Sequence, residues 1–360
     1  MTPRDRRLAW ITGIVAVVVV AVGVAAFVRS GSDDAPTTDS PSTTSAPGST
    51  VAGSTAALTG LPVTTYDPRP ALGVKIDEAP GITAFEGLER ADLIYEEQVE
   101  GGITRCLAVF QSQDAPNVGP VRSLRTSDFD LAENLGHPII AFSGADKLTL
   151  KASKSAPFVP YTPDSSGASK VFHRDRSRKP PHNLFLSTAG VRDNATGAGE
   201  VQAPFTHSPP GSPPLAGLPV DGVRIRFTDA VDVAFTWDDA RHEWLRWVNR
   251  KAHVDGTDTQ LGVDSVLILD VVYGHPAWDP TEPELVSVGG GTGLLLSDRT
   301  VSTVRWERDT AASPFTLRDA DGAMVGLPPG RTWVALPQGG ATSMMDAAAI
   351  AALGTERTDG

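Results

Sequence analysis

The chain of 360 residues has one cysteine, Cys106, which excludes an intramolecular disulfide framework and any all-cysteine metal site. It lies in an apolar run and reads as a small buried hydrophobe. Positive charge is also short: 31 Lys and Arg stand against 43 Asp and Glu, a formal net charge of -12. That balance argues against a nucleic-acid binder. Histidines His207, His242, His253 and His275 are scattered, with no spacing typical of zinc ligation, so no metal site is expected, and no cofactor either. No serine sits in a nucleophile-elbow context, and Cys106 has no histidine near it in sequence. Nucleophilic hydrolysis therefore has no support. The glycine-rich GGGTG at Gly289–Gly293 is not followed by Lys-Ser/Thr and reads as a turn between strands.

What the chain does have begins with an uncharged run of 21 residues, Leu8 to Val28. As a helix it is about 31 Å long, enough for a bilayer core of about 30 Å. Arg4, Arg6 and Arg7 precede it, and Asp33 and Asp34 follow. The positive-inside rule then predicts a cytoplasmic segment over 1–7, an uncleaved anchor over 8–28 and an exported remainder. The rival is a cleaved signal peptide, for which the apolar run is long. Without a cysteine near this segment, a lipid-modified N-terminus is not expected. Residues 29–57 are Ser, Thr, Pro, Gly and Ala, a composition too poor in apolar groups to order itself, and read as a stalk.

The exported part carries the whole -12, because the first 57 residues hold four basic and four acidic groups. Six prolines between Ala203 and Pro219 place a linker at 204–219, between units at 58–203 and 220–337, with a helix and tail over 338–360. The first unit alternates strand and helix signals. The second is a series of short β-rich runs such as VRIRF, VAFTW, WLRW and VLILD. The predicted class is α+β: an N-terminal α/β-type domain with a β-hairpin, then a mostly antiparallel β domain.

Three stretches carry candidate chemistry. With Gly101-Gly102 as a two-residue hairpin loop, Glu100 faces Ile103 and Gln98 faces Arg105. Glu96, Gln98 and Glu100 then share a face with Arg105, as an ion-pair cluster or a ligand-orienting group. In GPVRSLRTSDFD, Arg122 and Arg125 stand near a helix start that Ser123, Thr126 or Ser127 can cap. They either pair with acids or form an anion pocket. From Lys147 to His182 the chain runs to +6, and FHRDRSRKPPHNLF at Phe172–Phe185 reads as a donor-rich loop with His182 beside Asn183.

TGLPV at Thr59–Val63, ADLIYEEQVEGGITR at Ala91–Arg105, NVGPVRS at Asn117–Ser123 and RKPPHNL at Arg178–Leu184 resemble the YerB-like family. GTGLLLSDRTVSTVRWER and FTLRDADGAMVGLPPGRTWVAL extend the resemblance through the second unit. It implies a bacterial envelope protein, often a lipoprotein, of unknown function. Its recurrent polar positions fall on Glu96, Glu100, Arg105, Arg122, Ser123, Arg125, Arg174, Arg178, His182 and Asn183, while Glu97 and Gln98 look like local variation. The lipid-bearing cysteine of many relatives is absent from this sequence, where the anchor run stands instead.

Three readings follow. Those ten residues line a polar cleft for an anionic or glycan envelope polymer, or Glu96 and Glu100 with His182 act on glycans. Alternatively the cluster is structural and the β-rich unit docks envelope proteins. On a strand, residues four apart are separated by about 13 Å, which counts against a two-carboxylate mechanism. Membrane contact is expected through the N-terminal run, and nucleic acid is not an expected partner.

Overall fold

Aliphatic and β-branched runs cut at short intervals by glycine, proline and aspartate give short strands throughout. The computed structural model describes residues 54–355, except 80, 83 and 84. The expected anchor and almost all of the expected stalk lie outside the described residues. Among these residues no helix is long and apolar enough to cross a membrane.

The first half contains β1 (Leu72–Asp77), β2 (Leu93–Val99), β3 (Ile103–Phe110), α1 (Ser127–Glu133), β4 (Ile139–Ala141) and α2 (Lys147–Ser153). It continues with β5 (Val159–Tyr161), β6 (Phe172–Arg174), β7 (Leu184–Leu186) and α3 (Thr188–Asn194). In the second half come β8 (Leu218–Pro219), β9 (Gly222–Arg226), β10 (Asp232–Asp238), β11 (Glu243–Val248), β12 (Lys251–Ala252) and β13 (Gly262–Val263). Then follow β14 (Ser265–Leu269), β15 (Val272–Gly274), β16 (Glu284–Val286), β17 (Gly289–Ser297) and β18 (Thr300–Arg308). The last are β19 (Thr316–Arg318), β20 (Met324–Val325), β21 (Thr332–Ala335), β22 (Thr342–Met344) and α4 (Ala347–Ala351). The class is α+β, with few helices and a β-rich C-terminal half.

The two halves share one sheet, ordered β20-β19-β18-β17-β14-β21-β2-β3-β1-β4-β5. Its centre joins them: β2 pairs with β21 in parallel, with Glu96 opposite Ala335. Parallel pairing also links β1 to β4, β4 to β5 and β14 to β21. Because β3 is antiparallel to both β1 and β2, all six of these strands end at the same edge. Buried along its whole length, β1 still carries Lys75 and Asp77. A second sheet, β12-β11-β10-β9-β22, shares an apolar core with one face of the first through Phe235, Trp244, Ile94 and Trp333. Leu131 and Leu135, on and just after α1, pack with Tyr95 and Leu107 on the opposite side.

Three expectations are corrected here. The β2–β3 turn has three residues, Glu100–Gly102, with Gly101 at φ 78° and Gly102 at φ 69°, a region glycine enters freely. Val99 therefore faces Ile103, and Glu97, not Gln98, faces Arg105. A one-residue slip moves every side chain to the other face, so Glu96 and Gln98 do not share a face with Arg105. Gly289–Gly293 is the start of β17, paired with Arg308 through Val304 of β18, and not a turn. The expected loop at Phe172–Phe185 pairs its ends as β6 and β7, leaving the basic residues on its crossing segment. The proline-rich 204–219 segment is held at both ends: Phe205 bridges Phe315, His207 bridges Leu327, and β8 pairs with β18.

Candidate functional site

At the carboxyl ends of β1 and β2 a polar row crosses three strands. Asp77 lies opposite Arg105, and Arg105 lies opposite Glu97. This is the edge at which open sheets of parallel strands commonly bind ligands. The segment 120–122 closes over the end of β1, with Asp77 N donating to Pro120 O at 3.0 Å and Arg122 N to Lys75 O at 2.8 Å. Both Arg122 and Arg125 thereby reach the row just ahead of α1.

Most charges here already have partners. Lys75, fully buried, donates to Asp128 at 2.7 Å and to Glu97. Asp77 lies 3.0 Å from Arg122 Nε and 2.5 Å from His182 Nδ1. Arg125 Nε donates to Glu100 Oε2 at 2.6 Å, and a second nitrogen holds the other oxygen. Burial works against the charge on Arg125, but the bidentate Glu100 carboxylate more than offsets it and raises its pKa. The same contact, against the desolvation of Glu100, holds that acid below its usual range. Glu282, from the second half, accepts from Thr126 N at 2.8 Å and Thr126 Oγ1 at 3.1 Å at the α1 start.

Arg105 is the exception. It is 4% exposed, its Nη1 donates to Ser123 O at 3.1 Å, and its Nε has no hydrogen-bond partner. Its carboxylate neighbours pair elsewhere: Asp77 with Arg122 and His182, Glu97 through Oε1 with Lys75 while its Oε2 has no hydrogen-bond partner, and Glu100 with Arg125. Burial, with Arg125 and Arg122 alongside, pulls its pKa down to about 10. A guanidinium held in the interior without a hydrogen-bonded carboxylate is costly unless an anion answers it.

The expected residues divide. Arg105, Arg122, Arg125, Glu100, the Ser123 carbonyl and His182 meet at this edge, with Asp77 as the floor that sequence reasoning missed. His182 remains 37% exposed in its side chain and Arg122 21%, so the rim is open. Arg174, Arg178 and Asn183 instead hold the β6–β7 crossing segment. Arg174 Nη1 donates to Asn183 Oδ1 at 2.7 Å, while Arg178 pairs with Asp175 and Glu86 and lies over the Phe185 ring.

Glu96 is removed from the site altogether. On the opposite face of β2 it is fully buried, accepting from Arg246 Nη2 at 2.7 Å, Trp333 Nε1 at 3.0 Å and Thr104 Oγ1 at 3.0 Å. Arg246 also donates to Glu78 at 3.2 Å and to His253 Nδ1 at 2.5 Å, and stacks over Trp333. Because arginine can only donate, His253 Nδ1 is the acceptor, and Nε2 carries the ring proton. This is a sealed core network. Glu96 and Glu100 therefore do not form an acid–base pair.

Burial pushes Glu78 up to about 7 against the pull of Arg246, and Glu97 up to about 7 against Lys75. Between 4.5 and about 7 each folded-state acid holds a proton that the unfolded chain has released. Their contribution to stability is therefore present at low pH and lost as pH rises through that window. Side-chain carboxyl 13C shifts of Glu78 and Glu97 will titrate with midpoints near 7. Ordinary midpoints between 4 and 5 would contradict this electrostatic picture.

Residues 58–201 match the N-terminal domain model of a protein of unknown function (DUF3048), and 223–334 match its C-terminal domain model. The chain is 25% identical over 288 residues to the Bacillus subtilis protein named "Putative lipoprotein YerB", covering 78% of this chain and 85% of that one. The crystal structure of YerB from Bacillus subtilis superposes with a TM-score of 0.69 at 24% identity, over 81% of this chain and 99% of that chain, a likeness of fold. With both domain models matched in order across most of its length, the chain belongs to the DUF3048 family.

Proposed function

We propose that this protein is a membrane-anchored envelope protein that binds an anionic envelope component at the Arg105–Arg122–His182 edge. The uncharged run Leu8–Val28 would supply the anchor, and the similarity to a protein named a lipoprotein supports a membrane-associated place. The observation that carries the reading is Arg105, a buried cation whose carboxylate neighbours are committed to other partners. An anionic oxygen entering past Arg122 and His182 would complete its hydrogen bonds, as guanidinium groups do with phosphate and carboxylate.

A ligand site built on an unanswered charge trades stability for binding. Arg105→Met is therefore expected to leave the fold equally or more stable. Together with Arg122→Ala it should weaken co-sedimentation of the full chain with purified bacterial cell wall at least tenfold. Stripping phosphodiester-linked polymers from the wall should produce the same loss. Undiminished sedimentation of the double variant would end this reading.

A further inference from the structure

A second cationic concavity lies in the C-terminal half, where β9, β10 and the β11–β12 turn meet the end of the described chain. The cleft has a volume of about 780 Å³, and its charged lining is Arg224, Arg226, Arg250, Lys251, Asp229 and Asp232. Two of the four cations are answered. Arg224 forks onto Asp232 at 2.8 and 2.9 Å, and Arg226 Nη2 lies 2.9 Å from Asp229. Neither of the other two has a carboxylate partner among the described residues. Arg250 donates to Ala352 O and, at 3.0 Å, to Thr355 Oγ1, while its buried Nε has no partner. Lys251 is exposed at the rim.

Backbone conformation gives an independent pointer. Asn249 and Arg250 form the two-residue turn between β11 and β12, with φ of 47° and 67°. Such a turn favours Asn followed by Gly. An arginine occupies the glycine position, against its conformational preference, and it lines the cleft.

We infer that this cleft is a second anion site, built by Arg250 and Lys251 for a ligand carrying at least two phosphate charges. Asn249 also lines it, and its amide, which gives one proton to Ala230 O at 3.1 Å, would offer the other to a phosphate oxygen. It stands independently of the Arg105 edge, so either site can fail without the other.

The turn geometry supplies a variant that need not harm the fold. Arg250→Gly places the preferred residue at φ 67°, and the Gly354 N to Arg250 O bond of 2.7 Å is made by backbone and survives. The full chain in an Arg105→Met background, which removes the first site, is titrated with inorganic tripolyphosphate and with vesicles containing cardiolipin, whose headgroup carries two phosphates. Adding Arg250→Gly and Lys251→Gln should weaken binding at least tenfold in one arm or both, with the thermal midpoint unchanged or raised. The affected arm tells a soluble phosphate chain from a lipid headgroup, since the N-terminal run is common to both proteins. Equal affinity of variant and parent in both arms, or no saturable binding by the parent, overturns the inference.

Discussion

Arg246→Leu will destabilise the folded protein by about 3–5 kcal/mol at pH 8. The side chain is 1% exposed and stands between Glu78 and Glu96, which are equally enclosed. Removing it leaves two carboxylates in an apolar core between the two sheets, with no cation at hydrogen-bond distance. It also strips the Trp333 ring of its stacked guanidinium and His253 of the donor that fixes its tautomer. Lowering the pH should recover part of the loss, because Glu78 already tends toward its protonated form near 7. Denaturant unfolding at pH 8 and pH 5.5 checks both statements. Adding Glu78→Gln and Glu96→Gln should restore much of the stability, since an uncharged network has no ion left unanswered. A loss below 1 kcal/mol in the single variant, or no recovery in the triple, would show that charge in this network does not hold the two sheets together.

The second large effect is expected across the sheet. Lys75→Met should also cost about 3–5 kcal/mol, because Glu97 and Asp128 lose their shared buried cation. Burial alone disfavours the charged Lys75, yet the two acids more than offset it and raise its pKa. Asp128 additionally accepts from Arg125 N at 2.7 Å, so its position sets the start of α1 and the aim of the Arg125 guanidinium. The variant should therefore impair anion binding at the Arg105 edge along with stability. Lys75→Met combined with Glu97→Gln and Asp128→Asn should regain stability and leave binding partly impaired. If the triple variant is as unstable as the single one, packing of the lysine stem rather than charge accounts for the loss.

The strands were legible because their apolar runs are long relative to the turns between them. Arg122 and Arg125 were legible because the Gly-Pro turn and the SDFDLAE run mark a helix start, although Glu282, and not Ser123, Thr126 or Ser127, holds the Thr126 N–H there. The hairpin register was not. A Gly-Gly pair reads as a two-residue loop, and only the backbone shows that Glu100 belongs to the turn. That single residue decided which acid meets Arg105, moving Glu97 from apparent variation into the buried row. The ion networks were hidden because their members lie far apart in sequence, 150 residues for Arg246 and Glu96 and 156 for Thr126 and Glu282. A local signal did exist. LGVKID and WLRW each place charge inside an otherwise apolar strand, and a charged residue on a covered strand face must find a buried partner.

The parallel pair of β2 and β21 also bears on how this polypeptide can be shortened. Ending the chain at the proline-rich segment would strip β2 of its neighbour and bare a row of amide and carbonyl groups in the middle of what had been a sheet interior. The strand so exposed, LIYEEQV, opens with an apolar, aromatic-bearing run, and Glu96 and Glu97 alone blunt it in the way that natural sheet borders are blunted. Excised halves would tend to self-associate through it. The two family domains are thus better understood as one inseparable folding unit whose seam is a backbone ladder.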